Sequence, residues 1–184
     1  FMELQEKAGR FANFLKAQGV KPGDTVAGLL PRTVELLIVV LGTWRVGAVY
    51  QPMFTAFGPK AIEHRLHCSG AALVVTDGDN RHKLTDVPNC PLIVTVGGAK
   101  GEGIVRGDFS FWAEVECHPA ACEPVILPAD APFLLMCTSG TTGPAKPLAV
   151  PLRAIVAFQG YMRDAIDLRP EDAFWNVADP GWAY

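Results

Sequence analysis

The sequence has little net charge of either sign. Its 184 residues sum to a formal charge of −3, which gives no basic bias of the kind that favours nucleic acid or an anionic membrane surface. An anionic ligand must therefore be attracted locally, by a particular loop. Long hydrophobic runs are also scarce. The most apolar stretch, Leu36 to Trp44, is bracketed by Glu35 and Arg45, and is about half of the roughly 20 residues that span a bilayer. The opening segment, Phe1 to Arg10, carries Glu3, Glu6, Lys7 and Arg10 and has no signal-peptide apolar block. Neither membrane insertion nor export is expected. No CxxC pair occurs, and the five cysteines, Cys68, Cys90, Cys117, Cys122 and Cys137, are odd in number and irregularly spaced. A disulfide framework is not expected, and a reducing cytoplasm fits best.

What is present is enough apolar material for one well-buried domain: 49% of the residues are hydrophobic and 19% are charged. Helical and strand-like patterns alternate. Leu4, Ala8, Phe11 and Leu15 form one apolar stripe that ends near Gly19. After the turn Lys21-Pro22-Gly23-Asp24 comes a short apolar run, Val26 to Leu30, suited to a buried strand. Thr33 is placed to cap a helix from Val34 to Val46 that is apolar almost all round, which predicts a central, covered helix. Ala48-Val49-Tyr50 reads as a strand and Gln51 to Gly58 as a loop. Pro59 suits the first turn of a helix that turns Ile62 and Leu66 inward. Ala71 to Thr76 and Leu92 to Val96 read as further strands. Asp108 is positioned to cap a short helix containing Phe111 and Trp112. A proline-rich connector, about 117–132, leads to a strand from Phe133 to Cys137. Pro151 is expected to open a last helix with Ile155, Phe158, Met162, Ala165 and Ile166 on one face, and Phe174 to Val177 to form a last strand. The alternation predicts an α/β fold with a largely parallel sheet flanked by helices.

The chemistry is concentrated in Thr138-Ser139-Gly140-Thr141-Thr142-Gly143-Pro144-Ala145-Lys146. Its glycines let the backbone turn sharply and bring N–H groups close to an anion. Thr138, Ser139, Thr141 and Thr142 offer hydroxyl donors, and Lys146 adds a compact positive charge. No acidic residue occurs from Ala131 to Arg163, so the segment forms a local well for anions. A flexible Gly/Ser/Thr linker has a similar composition. A linker, however, does not follow a hydrophobic strand that pins one end, nor carry a lysine at its rim with Pro147 and Pro151 beyond. A Walker-type phosphate loop needs Gly, four residues, then Gly-Lys-Ser/Thr opening a helix. Here Gly140 and Gly143 are too close and Lys146 is followed by Pro147, which argues against a small NTP hydrolase.

The segment Thr138 to Pro147 resembles the signature loop of the adenylate-forming superfamily, which includes acyl-CoA synthetases, peptide-synthetase adenylation domains and luciferases. Members usually carry Ser-Gly-Thr-Thr-Gly, any residue, Pro, Lys and then commonly Gly. This chain has Pro144-Ala145-Lys146-Pro147, so one proline is early and another replaces the glycine, while the lysine keeps its register. The resemblance extends through Gly19 to Val26 and Leu41 to Pro52. Pro170-Glu171-Asp172 followed by Ala178-Asp179-Pro180-Gly181-Trp182 is similar to the acetyl-CoA and medium-chain acyl-CoA synthetase branch. The chain is thus identified as the N-terminal portion of such an enzyme, one partial domain over 1–184 with its phosphate loop at 138–147.

The resemblance implies activation of a small-molecule carboxylic acid by ATP to an acyl-adenylate, followed by transfer to coenzyme A. It assigns ATP binding to Thr138, Ser139, Gly140, Thr141, Thr142, Gly143 and Lys146, with Lys146 and Thr141 as catalytic candidates and Mg²⁺ bridging phosphate oxygens. It places Trp182, Ala183 and Tyr184 beside the acyl pocket, although a packing role for Trp182 is equally consistent. The family's later aromatic-Thr-Glu segment, ribose-binding aspartate, hinge and C-terminal domain are not among these residues. The chain alone is therefore expected to be inactive and to self-associate through uncovered apolar surface. The alternative is a non-catalytic module that binds polyphosphate weakly. No protein metal site is expected: His64, His67 and Cys68, and Cys117, His118 and Cys122, read as surface or packing residues. Cys137 reads as a buried strand residue and not a nucleophile.

Overall fold

The computed structural model describes residues 1–97, 102–138, 145–174 and 177–181. The apolar stripe of the first segment forms helix α1 (Met2–Ala17), which buries Phe11, Phe14 and Leu15 and leaves Glu3 and Glu6 in solvent. There follow β1 (Thr25–Leu29), α2 (Val34–Arg45), β2 (Val49–Pro52), α3 (Pro59–Ser69) and β3 (Leu73–Asp77). A 3₁₀ turn (Arg81–Leu84), β4 (Leu92–Val96), β5 (Phe109–Ser110) and α4 (Phe111–Cys117) come next, then β6 (Pro132–Thr138), β7 (Lys146–Pro151) and α5 (Ala154–Asp164). Among the described residues the sheet has seven strands in the order β5-β4-β3-β1-β2-β6-β7. All its pairings are parallel except β6 with β7, which is antiparallel. The expected α/β fold with a largely parallel, helix-flanked sheet is what the chain adopts.

The strand sequences dictate this layering. Successive side chains of a strand point to opposite faces, so a strand apolar at every position needs cover on both sides. Val26, Leu73 and Val75 face a core built with Phe11, Phe14, Ile38 and Val39 of α1 and α2. Ala27, Leu29 and Val74 face a second core with Ile62 and Leu66 of α3. The chain leaves β1 through α2 to reach β2, then returns through α3 to β3 on the other side of β1. Strand order therefore reverses at β1, and the loops after β1, β2 and β6 gather at the carboxyl end of the sheet, where open α/β folds bind ligands.

Four sequence expectations are corrected. First, α2 is not covered all round: Val34, Leu37 and Leu41 stay exposed because no described element packs on that side. Second, Pro151 does not open the last helix. It ends β7, a strand the sequence reading missed, and α5 begins at Ala154. Proline lacks a ladder donor, but β7 is an edge strand and tolerates Pro147 and Pro151. Third, the apolar face expected on α5 exists, yet none of the helix is buried. Fourth, Asp108 does not cap α4, which follows Ser110 without a side-chain cap. The expected strand Phe174 to Val177 falls on positions, 175 and 176, outside the described residues.

Asp108 instead accepts two bonds from Arg81, Nε to Oδ2 at 2.6 Å and Nη2 to Oδ1 at 2.8 Å, and one from Thr95 Oγ1 at 2.6 Å. The Arg81 and Asp108 side chains are only 10% and 4% exposed. Burial pushes the Asp108 carboxyl up, but the bonds from Arg81 and Thr95 and the charge of Arg81 outweigh it and hold the group below its ordinary value. The connector after α4 is fixed with similar economy along α1. Asn13 Nδ2 donates to Pro119 O at 2.7 Å and Ala121 O at 2.9 Å, and Arg10 Nη1 donates to His118 O at 2.8 Å. Gly9 makes this approach possible, since a Cβ there would meet Ala120 O at 2.0 Å.

Two stability measurements follow. Gly9→Ala gains roughly 1 kcal/mol of helix propensity but drives a methyl group into a backbone carbonyl, at a cost of about 1–3 kcal/mol. Urea unfolding is expected to show net destabilisation; a stabilised variant would contradict the contact. Asp108→Asn leaves Arg81 buried beside a neutral partner, and urea unfolding at pH 7 is expected to show a loss of about 3 kcal/mol. Because the folded carboxyl titrates below the unfolded one, the ion pair stabilises above the unfolded value and its contribution fades as pH falls through the folded value. The gap between wild type and variant should therefore narrow in acid.

Candidate functional site

The two ends of the Gly/Thr loop are brought together by the β6–β7 hairpin. Six register positions run from Pro132 opposite Pro151 to Thr138 opposite Lys146, so the loop leaves and re-enters the sheet at one closed neck. Thr138 Oγ1 also donates to Lys146 O at 3.5 Å. Both residues are exposed at the carboxyl end of β6. Thr138 and Lys146 of the expected ATP-binding set are thus adjacent. Ser139, Gly140, Thr141, Thr142 and Gly143 lie outside the described residues. Lys146 opens a strand and not a helix, which separates this hairpin from a Walker loop on geometry as well as on spacing.

The hairpin is held to the sheet by its neighbours. β2 pairs with β6 at Tyr50 and Leu134. Trp44 Nε1 donates to Phe133 O at 2.8 Å, and its ring lies 5.2 Å from that of Phe133. Gln51, fully buried in β2, bonds through Nε2 to Arg65 O at 3.1 Å and to Cys137 Sγ at 3.6 Å, and its Oε1 accepts from Ser69 Oγ at 2.7 Å. Cys137 is half-buried, less covered than its strand position predicts. Burial pushes its thiol above the ordinary value, so it is protonated at neutral pH and poorly nucleophilic.

The segment 177–181 joins the same end of the sheet. Arg32, after β1, donates to Val177 O and Ala178 O. Thr55, after β2, donates to Asp179 Oδ2 at 3.3 Å, and Asp179 Oδ1 accepts from Gly181 N at 2.8 Å. Gly181 rests on the Met53–Phe54 peptide, where a Cβ would meet Met53 C at 2.1 Å. Trp182, Ala183 and Tyr184, marked for the acyl pocket, lie outside the described residues. Beside this segment an open apolar concavity of about 1000 Å³ runs between α2 and α5, lined by Leu37, Trp44, Phe133, Met136 and Phe158. Tyr50 forms part of its wall; its hydroxyl has no hydrogen-bond partner among the described residues. Burial, with the charge of Asp179, raises the Tyr50 phenol well above its ordinary value.

Two histidines of α3 are engaged by backbone carbonyls. His64 Nε2 lies 2.8 Å from Ala145 O and His67 Nε2 lies 2.8 Å from Pro88 O, so each bonds to a backbone carbonyl. Glu114, Cys117 and His118 bring ligand atoms within 4.8 Å of one another, but His118 Nδ1 is committed to Glu114 O at 2.8 Å. Cys122 is buried apart from them, with Sγ near Glu123 O at 3.9 Å. The residues missed by sequence reasoning are Gln51, Arg32, Thr55 and His64. Gln51 lies within the Leu41–Pro52 segment, but nothing there marks it as a bridge, and Arg32, Thr55 and His64 depend on partners far along the chain.

Comparison with known proteins bears on what this arrangement is. The family model described as AMP-binding enzyme matches residues 1–184. The chain is 29% identical to the acetyl-coenzyme A synthetase of Pseudoalteromonas translucida over 99% of its length and 31% of that protein's. It is 32% identical to the acetyl-coenzyme A synthetase of Bacillus subtilis over 99% of its length and 32% of that protein's. The crystal structure of Brucella canis acyl-CoA synthetase superposes with a TM-score of 0.95 at 53% identity, covering 100% of this chain and 33% of that one. The chain thus spans about a third of the length of the curated relatives it matches. With its matching fold, its hairpin neck at the carboxyl end of the sheet and a family match over every residue, the chain belongs to the AMP-binding enzyme family.

Proposed function

We propose that this chain supplies the grip on ATP in an acyl-CoA synthetase, an AMP-forming acid–thiol ligase that converts a carboxylic acid to an acyl-adenylate and then to its CoA thioester. The observation that carries the reading is the pairing of Thr138 with Lys146 at the carboxyl end of β6 in a chain of this family. In this reading the chain is part of the large N-terminal domain, with 138–147 as its phosphate loop and about 117–132 as a connector.

A carboxylate that attacks the α-phosphorus of ATP approaches like charge, and negative charge grows on the departing pyrophosphate. Donors fixed around the β- and γ-phosphate oxygens stabilise that charge without reorganising during reaction. Lys146 Nζ, the hydroxyls of Thr138, Ser139, Thr141 and Thr142, and the backbone N–H groups at Gly140 and Gly143 are the proposed donors. Lys146 and Thr141 are the proposed catalytic pair on the leaving group. Strands β6 and β7 contain no Asp or Glu, so their donor set fits phosphate oxygens and does not itself make a magnesium cage. Mg²⁺ would then be carried by the phosphates, whose charge it neutralises. Trp182, Ala183 and Tyr184 are proposed to border the acyl group. The five free thiols support placement in the cytoplasm, and among the described residues no helix is long and apolar enough to cross a membrane.

The span of about a third of the relatives' length favours one further reading: that the chain by itself binds polyphosphate without completing the reaction. Carboxylate-dependent exchange of pyrophosphate into ATP separates the two, and the chain alone is expected to give none; robust exchange would show that it is sufficient. Calorimetry with magnesium–ATP tests the grip itself. Lys146→Ala removes one charge-assisted bond, and affinity is expected to fall by about 10–100-fold. The thermal midpoint should not move, since Lys146 is exposed.

The exposed apolar side chains of α2 and α5, among them Leu37, Ile155, Phe158 and Tyr161, support self-association of the purified chain, because contiguous apolar surface in water favours burial against a partner. Sedimentation velocity is expected to show concentration-dependent dimers. A monodisperse monomer at all concentrations would contradict this.

A further inference from the structure

Helix α3 is linked to both sides of the loop-bearing hairpin. On the β6 side, Gln51 bridges Arg65 O and Cys137 Sγ. On the β7 side, His64 reaches across 81 positions of sequence to Ala145 O, 2.8 Å from its Nε2. A carbonyl oxygen only accepts, so Nε2 carries the proton and donates. The ring is bounded on its own helix by Cys68, whose Sγ lies 3.6 and 3.7 Å from the two ring nitrogens. The helix that carries His64 is itself immobilised: Ile62 and Leu66 are buried in the second core, and Ser69 Oγ is bonded to Gln51.

We propose that His64 is a positioning residue that latches the lysine end of the phosphate loop. Ala145 O and Lys146 N belong to one planar peptide unit. Holding that carbonyl therefore fixes the orientation of the peptide from which Lys146 is presented. Pairing of Thr138 with Lys146 closes the neck, but it leaves Ala145 outside the ladder. The His64 bond restrains the residue that the ladder does not. A lysine on a flexible four-carbon stem reaches many positions, and fixing its base reduces the conformational freedom lost when it closes on an anion. The latch rests on the reading of this loop as a phosphate cradle.

The test uses the full chain and inorganic tripolyphosphate, with dissociation constants from calorimetry and thermal midpoints for wild type, His64→Ala, His64→Gln and Lys146→Ala. Removing the latch in His64→Ala is expected to weaken tripolyphosphate binding by about 5- to 10-fold with little change in midpoint. His64→Gln, whose amide N–H can donate in place of Nε2–H, is expected to recover most of the affinity. A merely structural histidine would lower the midpoint without this rescue. Wild-type affinity in His64→Ala, or a loss that His64→Gln does not restore, overturns the latch while leaving the cradle standing if Lys146→Ala still binds poorly. Undiminished binding by Lys146→Ala, or none by wild type, overturns the cradle and the latch with it.

Discussion

Everything at the candidate site depends on how β6 is seated beside β2. Among the described residues the strand is the last parallel member of the sheet, and it carries on its far side the exposed edge strand β7. Its place is set by polar bonds inside an apolar setting: the Trp44 indole on Phe133 O and the Gln51 amide spanning Arg65 O, Ser69 and Cys137. A buried amide is costly unless its bonds are made, so Gln51 accepts one geometry, and that geometry fixes α3 against β6. Were β6 to slip by one residue, Thr138 would change faces along with every other side chain of the strand, and its pairing with Lys146 of β7 would be lost.

The same sheet explains why the other elements at its carboxyl end are found together. A parallel strand buried on both faces has its loops at its ends, and reversal of strand order at β1 collects those after β1, β2 and β6 in one place. Arg32 and Thr55 then tether the 177–181 segment to the first two of these loops. Tyr50 adds a constraint from within. Its ring lies on Gly28, where a Cβ would meet the hydroxyl at 2.3 Å, and its phenol stays neutral through burial and the nearby Asp179. The Tyr50 ring beside the segment is therefore buried and neutral.

Much of this was legible in the sequence because burial leaves a pattern. The limits of β4 coincide with the apolar run Leu92–Val96, those of β1, β2 and β3 lie within a few residues of their apolar runs, and Ile62 and Leu66 are buried as their spacing predicts. The family could be recognised from the order of Gly19–Val26, Leu41–Pro52 and Thr138–Pro147. What misled was local chemistry that context overrides. Pro147 and Pro151 argue against a strand, yet an edge strand needs no donor at those positions. Asp108 sits where a cap is useful, yet a buried guanidinium from Arg81 offers it more. Val34–Val46 reads as covered, but apolar composition reports only that a side could be buried, not that a neighbour is present. His64 reads from sequence as a surface or packing residue, and its bond to Ala145 O across 81 positions has no sequence signature.

The central claim is that Thr138 and Lys146 form the neck of a loop that grips the outer phosphates of ATP. Phosphorus NMR of magnesium–ATP titrated with the chain reads this grip atom by atom. The account predicts that the β- and γ-phosphorus resonances shift and broaden on addition of chain, and that Lys146→Ala abolishes most of the effect. Unperturbed phosphorus resonances, or perturbation of equal size with Lys146→Ala, would contradict it.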